Sequence, residues 1–291
     1  MNLAIHGRSF KEDSLPFIKD MFHILENNGT QLCIFEPFAA YIKKRGINLK
    51  KFKTYDNHKQ LNHTDFLFSV GGDGTLLEAV TFIRKKEIPI LGINTGRLGF
   101  LATTQRDQIE AAISDLNAGH YTFDDRTLIR LESPDDIFHD ESFGLNEFTI
   151  LKKDTSSMIV VHAYINDEYL NSYWSDGLIV STPTGSTGYS LSCGGPLVMP
   201  TSNNFIIAPV SPHNLNVRPM IVSDESEISF KIECRSKNIL VTLDSRSKTV
   251  PVSTVLKVKK EKFKSRLVKL KNHNFLETLR SKLNWGLDLR N

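Results

Sequence analysis

Residues 65–75 read DFLFSVGGDGT, and this stretch decides the fold of the first part of the chain. Residues 65–70 are almost entirely apolar, which is typical of a strand covered on both faces. Glycines follow at once, and residues 75–86 then carry helical periodicity. A strand that turns through glycines into a helix is typical of a parallel α/β sheet.

The same alternation extends on both sides of this stretch. Strands are predicted at residues 2–5, 31–35 and 89–93. Helices are predicted at residues 15–28, where Gly29 gives a stop signal, and at 106–116. The sequence therefore predicts a parallel sheet with helices on both faces.

After about Tyr121 the pattern changes to short β-rich runs at close intervals, with almost no helical periodicity between them. Strands are predicted at residues 128–131, 148–151, 159–165, 178–181, 205–209, 228–233, 239–243, 255–258 and 267–270. Residues 274–285 are helical again and are expected to pack on the first domain. The predicted organisation is an α/β domain at 1–125, completed by a helix within 272–291, and a β-rich domain at 126–271.

The bulk composition is that of an ordinary globular protein. The chain has 291 residues, of which 24% are charged, and its net charge of +3 is too small to indicate nucleic-acid binding. Three cysteines lie far apart without CxxC spacing, so neither a disulfide framework nor a zinc site is expected. With no apolar signal segment at the start and no run of about 18 apolar residues, a cytoplasmic location is predicted.

The GGDGT loop, Gly71 to Thr75, has the features of a phosphate site. Glycines let a ligand approach backbone amides, and the following helix offers unpaired N–H groups. Asp73 would repel a phosphate unless it binds a metal or takes a proton from an attacking hydroxyl. The alternative is a simple turn in which Asp73 caps the helix.

A second signal is an uncharged tract. No Asp, Glu, Lys or Arg occurs among the 41 residues 177–217, which independent positions would give at a frequency on the order of one in 10⁵. Residues 181–195 are rich in glycine and hydroxyl groups, which suit contact with a neutral base or sugar. An uncharged subunit interface is the alternative, and the apolar residues 197–199 and 205–207 favour a homo-oligomer.

Three further features bear on the chemistry. Asn146-Glu147, just before a predicted strand, can read the donors and acceptors of a ribose or adenine, or can simply be solvated. The histidines show no metal-ligand spacing, so no protein-built metal site is expected; His213 alone lies in the uncharged tract. Neither GxxxxGK[ST] nor a GxGxxG at the first strand is present, which argues against a P-loop enzyme and an ordinary dehydrogenase.

Taken together, these motifs resemble the NAD kinase family over nearly the whole chain. The blocks that carry the resemblance are GGDGT at 71–75, NTGRLGFL at 94–101, Asn146-Glu147, DGLIVSTPTGSTGY at 176–189, GGP at 194–196, Pro212-His213, Arg218-Pro219 and LNW at 283–285. GGDGT alone is shared with lipid kinases and phosphofructokinases, whereas the order of all the blocks is specific.

The resemblance implies a Rossmann-like α/β domain followed by a β-sandwich domain, and transfer of a phosphoryl group from ATP or another donor to the adenosine 2′-hydroxyl of NAD. It also implies Mg²⁺ with the donor and a homo-oligomer, a tetramer or dimer, without nucleic acid or membrane partners. Asp73 would be the catalytic base. Gly71 and Thr75 would belong to the phosphate-facing loop. The residues implied to bind NAD are Gly72, Gly74, Phe100, Asn146, Glu147, Asp176, Thr184, Thr187, Gly188, Tyr189 and His213.

Two positions depart from the family pattern. Trp174 stands where many relatives have a basic residue, near the nicotinamide end, and Arg246 stands where glutamine is expected. A lipid kinase of the diacylglycerol kinase type and a non-catalytic NAD(P) sensor are the competing functions. The uncharged tract disfavours the first, and Asp73 disfavours the second.

Overall fold

A computed structural model describes residues 1–96, 98–134, 136–153, 157–271 and 274–284. Arg97 and Trp285, which belong to the motifs above, lie outside the described residues. The chain divides into two compact units, which we call the first unit, Met1–Asp125 with the chain from Ser265 onward, and the second unit, Arg126–Lys264. None of the helices in the described segments is long and apolar enough to cross a membrane.

Six α-helices are present in the described residues, and five of them belong to the first unit. Their bounds are α1 Leu15–Asn27, α2 Glu36–Lys44, α3 Asp73–Ile83, α4 Ile109–Ala118, α5 Tyr189–Ser192 and α6 Phe275–Leu283. The longest, α1, turns one apolar face inward and is followed by Gly29 in the left-handed region. Gly119 ends α4 in the same way.

Nineteen strands are described. Their bounds are β1 Asn2–Gly7, β2 Gln31–Phe35, β3 Lys53–Tyr55, β4 Phe66–Gly71, β5 Ile90–Asn94, β6 Tyr121–Arg126, β7 Ile129–Ser133, β8 Phe143–Gly144, β9 Glu147–Lys152, β10 Ile159–Ile165, β11 Glu168–Ser175, β12 Gly177–Ser181, β13 Asn204–Val210, β14 Met220–Ser223, β15 Ile228–Glu233, β16 Asn238–Leu243, β17 Arg246–Pro251, β18 Leu256–Lys260 and β19 Ser265–Leu270. Helix α2 and strand β3 lie between the predicted strands at 31–35 and 65–70, and neither was predicted.

The first unit is built on a seven-stranded sheet of order β3-β2-β1-β4-β5-β19-β6. Strands β1 to β5 pair in parallel. The strand order reverses between β1 and β4, so their carboxyl ends form the switch point where such sheets bind ligands. The GGDGT loop begins at the end of β4 and lies at this point.

The second unit is a sandwich of two six-stranded sheets with one shared core. The orders are β11-β10-β15-β18-β7-β8 and β14-β13-β12-β9-β16-β17. Inward residues of both sheets form a single apolar cluster, in which the rings of Phe148 and Phe230 stack at 6.3 Å. The predicted fold class, a parallel-sheet domain with a β-sandwich domain and a final helix on the first, is confirmed.

One predicted strand lies in a different sheet from the one expected. We assigned residues 265–271 to the β-rich domain, but β19 pairs in parallel with β5 of the first sheet. Apolar alternation identifies a strand without specifying its partner, because pairing is decided by distant parts of the chain.

The apolar run 205–207 also has a different role from the one inferred. We expected it in a subunit contact, but Phe205, Ile206 and Ile207 are fully buried within the second unit. Phe205 and Ile207 face the sandwich core, while Ile206 packs with Val198 on the other face of β13. The lack of charge here follows from burial on both faces of the strand.

Candidate functional site

In the first unit, the GGDGT loop joins β4 to α3. Gly72 occupies the N-cap position, and α3 begins at Asp73 itself. A Cβ added to Gly72 or Gly74 would meet no atom within 4 Å, so open space lies above the loop. A Cβ on Gly71 would lie 2.3 Å from Oγ1 of Thr75, so this glycine is required by the turn. The loop is therefore closely packed at Gly71 and open to a ligand at Gly72 and Gly74.

The carboxylate of Asp73 does not cap its own helix. Its Oδ2 accepts the N–H of Phe100 at 2.8 Å, and its Oδ1 accepts those of Leu101 and Ala102 at 3.0 and 2.9 Å. A Cβ on Gly99 would lie 2.0 Å from Oδ1 of Asp73, so the segment can approach only with glycine there. Asp73 thus joins the GGDGT loop to the segment that contains Phe100.

Behind the loop, α3 is tied to β1 by a cluster of ionisable side chains. The His6 ring is fully buried, with Nδ1 2.9 Å from the Tyr55 hydroxyl and Nε2 3.1 Å from Oε2 of Glu78. Arg8 donates to both oxygens of Glu78, at 2.6 and 2.7 Å. Burial alone would raise the pKa of Glu78, but hydrogen bonds and charge from His6 and Arg8 outweigh it and lower the pKa to about 2. Burial lowers the pKa of His6, so its ring is neutral at pH 7.

Phe100 lies beside the C-terminal helix of the same unit. Its ring is 6.4 Å from that of Phe275, and the ammonium of Lys282 lies 5.6 Å from the Phe100 ring centre. Helix α6, whose Leu279 is buried, therefore returns to the unit that carries Asp73, as predicted.

In the second unit, the start of the uncharged tract is fastened to Asn146-Glu147. The carbonyl oxygen of Asn146 accepts the Thr182 N–H at 2.8 Å, and Oγ1 of Thr182 donates to the Leu145 carbonyl at 2.6 Å. A Cβ on Gly185 would lie 2.2 Å from the Asn146 carbonyl oxygen. Contact between backbones this close explains why residues 181–188 contain only small side chains.

Gly188 lies where the two segments meet. A Cβ there would be 3.4 Å from Oε2 of Glu147 and 3.6 Å from Nδ2 of Asn146. Thr184 is buried and accepts a hydrogen bond from the guanidinium of Arg126 at 3.2 Å. Thr187 donates to the Thr184 carbonyl. The structure thus brings together Asn146, Glu147, Thr184, Thr187 and Gly188.

Two buried acceptor atoms of this cluster have no hydrogen-bond partner within the described part of the chain, namely Oδ1 of Asn146 and Oε2 of Glu147. Each unsatisfied group costs about 1–3 kcal/mol, which a polar ligand would recover. Burial, and secondly the charge of Asp244, raise the pKa of Glu147 to about 8. At pH 7 the Glu147 carboxyl is therefore mainly protonated.

Asp244 is a residue of the site that sequence reasoning missed. Its carboxylate accepts the backbone N–H groups of Leu145, Asn146 and Glu147 at 2.8, 2.8 and 3.2 Å. Burial raises the pKa of Asp244 and outweighs these donors and the charge of Arg246, which act in the opposite direction. The contact spans 97 to 99 residues of sequence, so no local motif could reveal it.

Two other predicted residues of the second unit are Asp176, just before β12, and Tyr189, the first residue of α5. Asp176 precedes the strand, and its carboxylate pairs with the Lys152 ammonium at 2.6 Å. The strand register puts it five residues from the pair Ser181–Glu147, roughly 16 Å along the strand. The pKa of Tyr189 is raised, first by burial and then by the charges of Cys193, Asp176 and Glu147.

His213 and Trp174 are linked near the Asp176 end of β12. The His213 N–H donates to the Trp174 carbonyl at 2.8 Å, and both side chains are exposed. The structure therefore does not bring His213 or Asp176 into contact with Asn146 and Glu147. It accounts for Arg246 through that residue's contacts with the segment before Asn146.

Comparison with known proteins relates the whole chain to NAD kinases, the family suggested by the sequence motifs. The family profiles of the ATP-NAD kinase N-terminal domain and C-terminal domain match residues 13–121 and 145–270. A protein named NAD kinase from Cytophaga hutchinsonii is 56% identical over 100% of both chains. The one from Flavobacterium psychrophilum is 46% identical, again over 100% of both.

Solved structures of the family share the fold. Yeast NADH kinase complexed with NADH matches with a TM-score of 0.89 at 20% identity, covering 100% of this chain and 89% of that chain. An NAD kinase from Archaeoglobus fulgidus in complex with ATP matches with a TM-score of 0.77 at 26% identity, covering 98% and 99%. Together with the profiles and the full-length relatives, these matches show that the chain belongs to the ATP-NAD kinase family.

Proposed function

We propose that this chain transfers a phosphoryl group from ATP to the adenosine 2′-hydroxyl of NAD, giving NADP. The observation that carries this proposal is the cluster in the second unit, where two buried polar atoms without partners lie beside the glycine and hydroxyl groups of the uncharged tract. Such a lining suits the neutral adenosine of a dinucleotide. Family membership decides against the lipid kinase alternative.

Within this proposal, Asp73 accepts the proton of the 2′-hydroxyl. A carboxylate has about four lone-pair positions, and backbone N–H groups occupy two on Oδ1 and one on Oδ2. Oδ2 therefore retains a position for the hydroxyl, and the open space at Gly72 and Gly74 gives the sugar and phosphates room to approach. Phosphoryl transfer needs the attacking oxygen held in line, and this contact would do so.

The remaining roles are proposed from placement. Asn146 and Glu147 would hold the adenosine with Thr184, Thr187, Gly188 and Tyr189, while Asp176 and His213 would lie toward the nicotinamide end of a dinucleotide extended along β12. Gly71 and Thr75 would shape the phosphate-facing loop, and Phe100 would pack by the adenosine. Mg²⁺ would arrive on the phosphates of the donor, since it commonly binds through substrate phosphates and one or two carboxylates. It would neutralise charge on the transferred group.

We also propose a homo-oligomer, a dimer or tetramer, in the cytoplasm. Several large apolar side chains of the second unit are exposed in the single chain, among them Trp174, Met199, Leu215, Met220 and Ile221. Exposed apolar residues of this kind favour a subunit contact. The three cysteines are all free thiols, which suits a reducing compartment.

The test is NADP formation from ATP, Mg²⁺ and NAD by the purified chain and by Asp73→Asn. The amide keeps one oxygen for two of the backbone donors but turns an NH₂ toward the third, so we expect a loss of about 1–3 kcal/mol of stability. At a temperature where the variant is folded, kcat should fall by roughly 10²–10⁴-fold with KM for NAD little changed.

Asp20→Asn is the matched control, because Asp20 is exposed on α1 of the same unit. It should leave both constants unchanged. If folded Asp73→Asn makes NADP within a few-fold of the wild-type rate, Asp73 serves only to hold the Phe100 segment.

A further inference from the structure

The turn between β16 and β17 acts on one segment of the second unit through two side chains. Asp244 and Arg246 flank Ser245 at this turn, and both contact the segment of residues 141–147, which we call the site segment. The site segment ends in Asn146 and Glu147. What holds it therefore determines where these two side chains point.

Asp244 fixes the downstream end of the site segment. Three successive N–H groups, those of Leu145, Asn146 and Glu147, point at its carboxylate, and its own N–H donates to the Glu147 carbonyl at 3.0 Å. The close packing extends to Gly144, where a Cβ would lie 3.0 Å from Oδ1 of Asp244. Three converging N–H groups require an acceptor on both oxygens, and only a carboxylate supplies it.

Arg246 fixes the upstream end. Its guanidinium donates to the carbonyl oxygens of Glu141 and Phe143. It also lies 3.8 Å from Oε2 of Glu141 and 5.7 Å from the centre of the Phe143 ring. The planar group therefore spans the site segment just before it turns toward Asn146.

The same turn sets the charge around Glu147. Its side chain is nine-tenths buried, and Oε2 has no partner among the described residues. The ionisable groups around it are Asp244, with Arg246 behind that carboxylate, and the Tyr189 phenol. Asp244 carries the negative charge of the pair, because three N–H donors and the Arg246 guanidinium stabilise its ionised form. Glu147, which has none of these, holds the proton.

We propose that Asp244 and Arg246 are positioning residues for NAD binding, and that through them Glu147 presents a protonated carboxyl to a ribose hydroxyl of the dinucleotide. This rests on the proposed function. A protonated carboxyl both donates and accepts, and so does a hydroxyl, so the pair can exchange two hydrogen bonds. An ionised Glu147 would have to be desolvated without a compensating cation, which binding would not favour.

The first experiment is the pH profile of KM for NAD between pH 6 and 9.5. In the wild type, KM should rise above about pH 8, as Glu147 loses its proton. In Asp244→Asn, which keeps the turn shape but removes the charge, the rise should begin about one pH unit lower. Its KM at pH 7 should be roughly tenfold higher, because one backbone donor of the site segment loses its acceptor. The inflection should be absent in Glu147→Gln.

The second experiment separates positioning from charge. Arg246→Met and Lys248→Met each remove one cation from β17, but Lys248 is exposed and only Arg246 contacts the site segment. Arg246→Met should raise KM for NAD roughly five- to tenfold, with kcat changed less than about twofold. Lys248→Met should change neither. Equal KM values for the two variants would overturn the positioning role.

A direct titration covers the case in which Asp244→Asn does not fold. Carbon-13 NMR of the wild-type glutamate carboxyls should show Glu147, identified by its loss in Glu147→Gln, titrating near pH 8. A Glu147 titration near pH 4.5, or the same KM inflection in wild type and Asp244→Asn, overturns the inference. If instead the wild type makes no NADP at any pH, the proposed function itself is wrong.

Discussion

Glu78→Gln tests whether the cluster behind the GGDGT loop stabilises the first unit. Glu78 lies on α3, five residues after Asp73, and its carboxylate is shared by Arg8 and the buried His6. The substitution keeps the size of the side chain and removes its charge. It therefore isolates the electrostatic contribution of the contact between α3 and β1.

The magnitude follows from the pKa of Glu78, which is 4.5 in the unperturbed group and about 2 in the folded chain. At about 1.4 kcal/mol per unit this corresponds to roughly 3 kcal/mol. Arg8 is 64% exposed, so solvent weakens its part, and the His6 ring, neutral at pH 7, adds no charge there. We therefore expect roughly 2 kcal/mol. Because the folded pKa lies below the unfolded one, this stabilisation is present above pH 4.5 and is lost as the pH falls toward 2.

The assay is urea unfolding of wild type and variant at pH 7 and pH 3, with amide hydrogen exchange of α3 to show which unit unfolds. The difference in free energy of unfolding should be roughly 2 kcal/mol at pH 7 and less than half of that at pH 3. Glu110→Gln, an exposed residue in the first turn of α4, should cost at most about 1 kcal/mol. A Glu78→Gln difference that is the same at both pH values would refute the electrostatic argument.

Three further predictions concern the proposed site and assembly. Gly185→Ala should cost about 1–3 kcal/mol of stability and raise KM for NAD, because its Cβ would meet the Asn146 carbonyl at 2.2 Å; Gly96→Ala, whose Cβ meets nothing within 4 Å, should leave the Tm almost unchanged. Chelation with EDTA should abolish NADP formation and Mg²⁺ should restore it, whereas full activity in EDTA would remove the metal from the mechanism. Light scattering should report a mass at least twice 32.9 kDa, and a stable monomer would contradict the oligomer.

Much of the fold was predictable because its signals are local. β4 and β5 are almost entirely apolar and end at a glycine and an asparagine, so their local pattern alone identified them. β17, with sequence RSKTVP and mostly exposed, offers no such pattern and was missed. The sheet to which β19 belongs was also beyond a local pattern, since its partner β5 lies far away in the sequence.

The site divides in the same way. GGDGT and Asn146-Glu147 stand out through residue type and spacing, and the uncharged tract stands out through composition. Asp244 was not singled out from the sequence, and Arg246 was noted only as a departure from the family pattern, because both act on a segment about a hundred residues earlier. Their positions become meaningful only once β16 and β9 pair, which places the turn beside the site segment.

Each unit contains one aspartate that holds a loop by accepting three backbone N–H groups, but the two aspartates have different roles. Asp73 and Asp244 each accept three successive backbone N–H groups from a glycine-preceded segment, at Phe100–Ala102 and at Leu145–Glu147. Without the carboxylate, these N–H groups would need hydrogen bonds to solvent. A single carboxylate therefore holds the loop in one conformation, and each of its charged hydrogen bonds stabilises the folded state by about 1.5–3 kcal/mol.

What separates the two carboxylates is what surrounds each of them beyond its three hydrogen bonds. Asp244 has the site segment and the Arg246 guanidinium beside it, and its charge acts on Glu147. Asp73 is half-buried under open space, and Oδ2 keeps a free lone-pair position. The same three-donor arrangement therefore leaves Asp244 to orient binding groups, while Asp73 can also receive a proton from a substrate that reaches the loop.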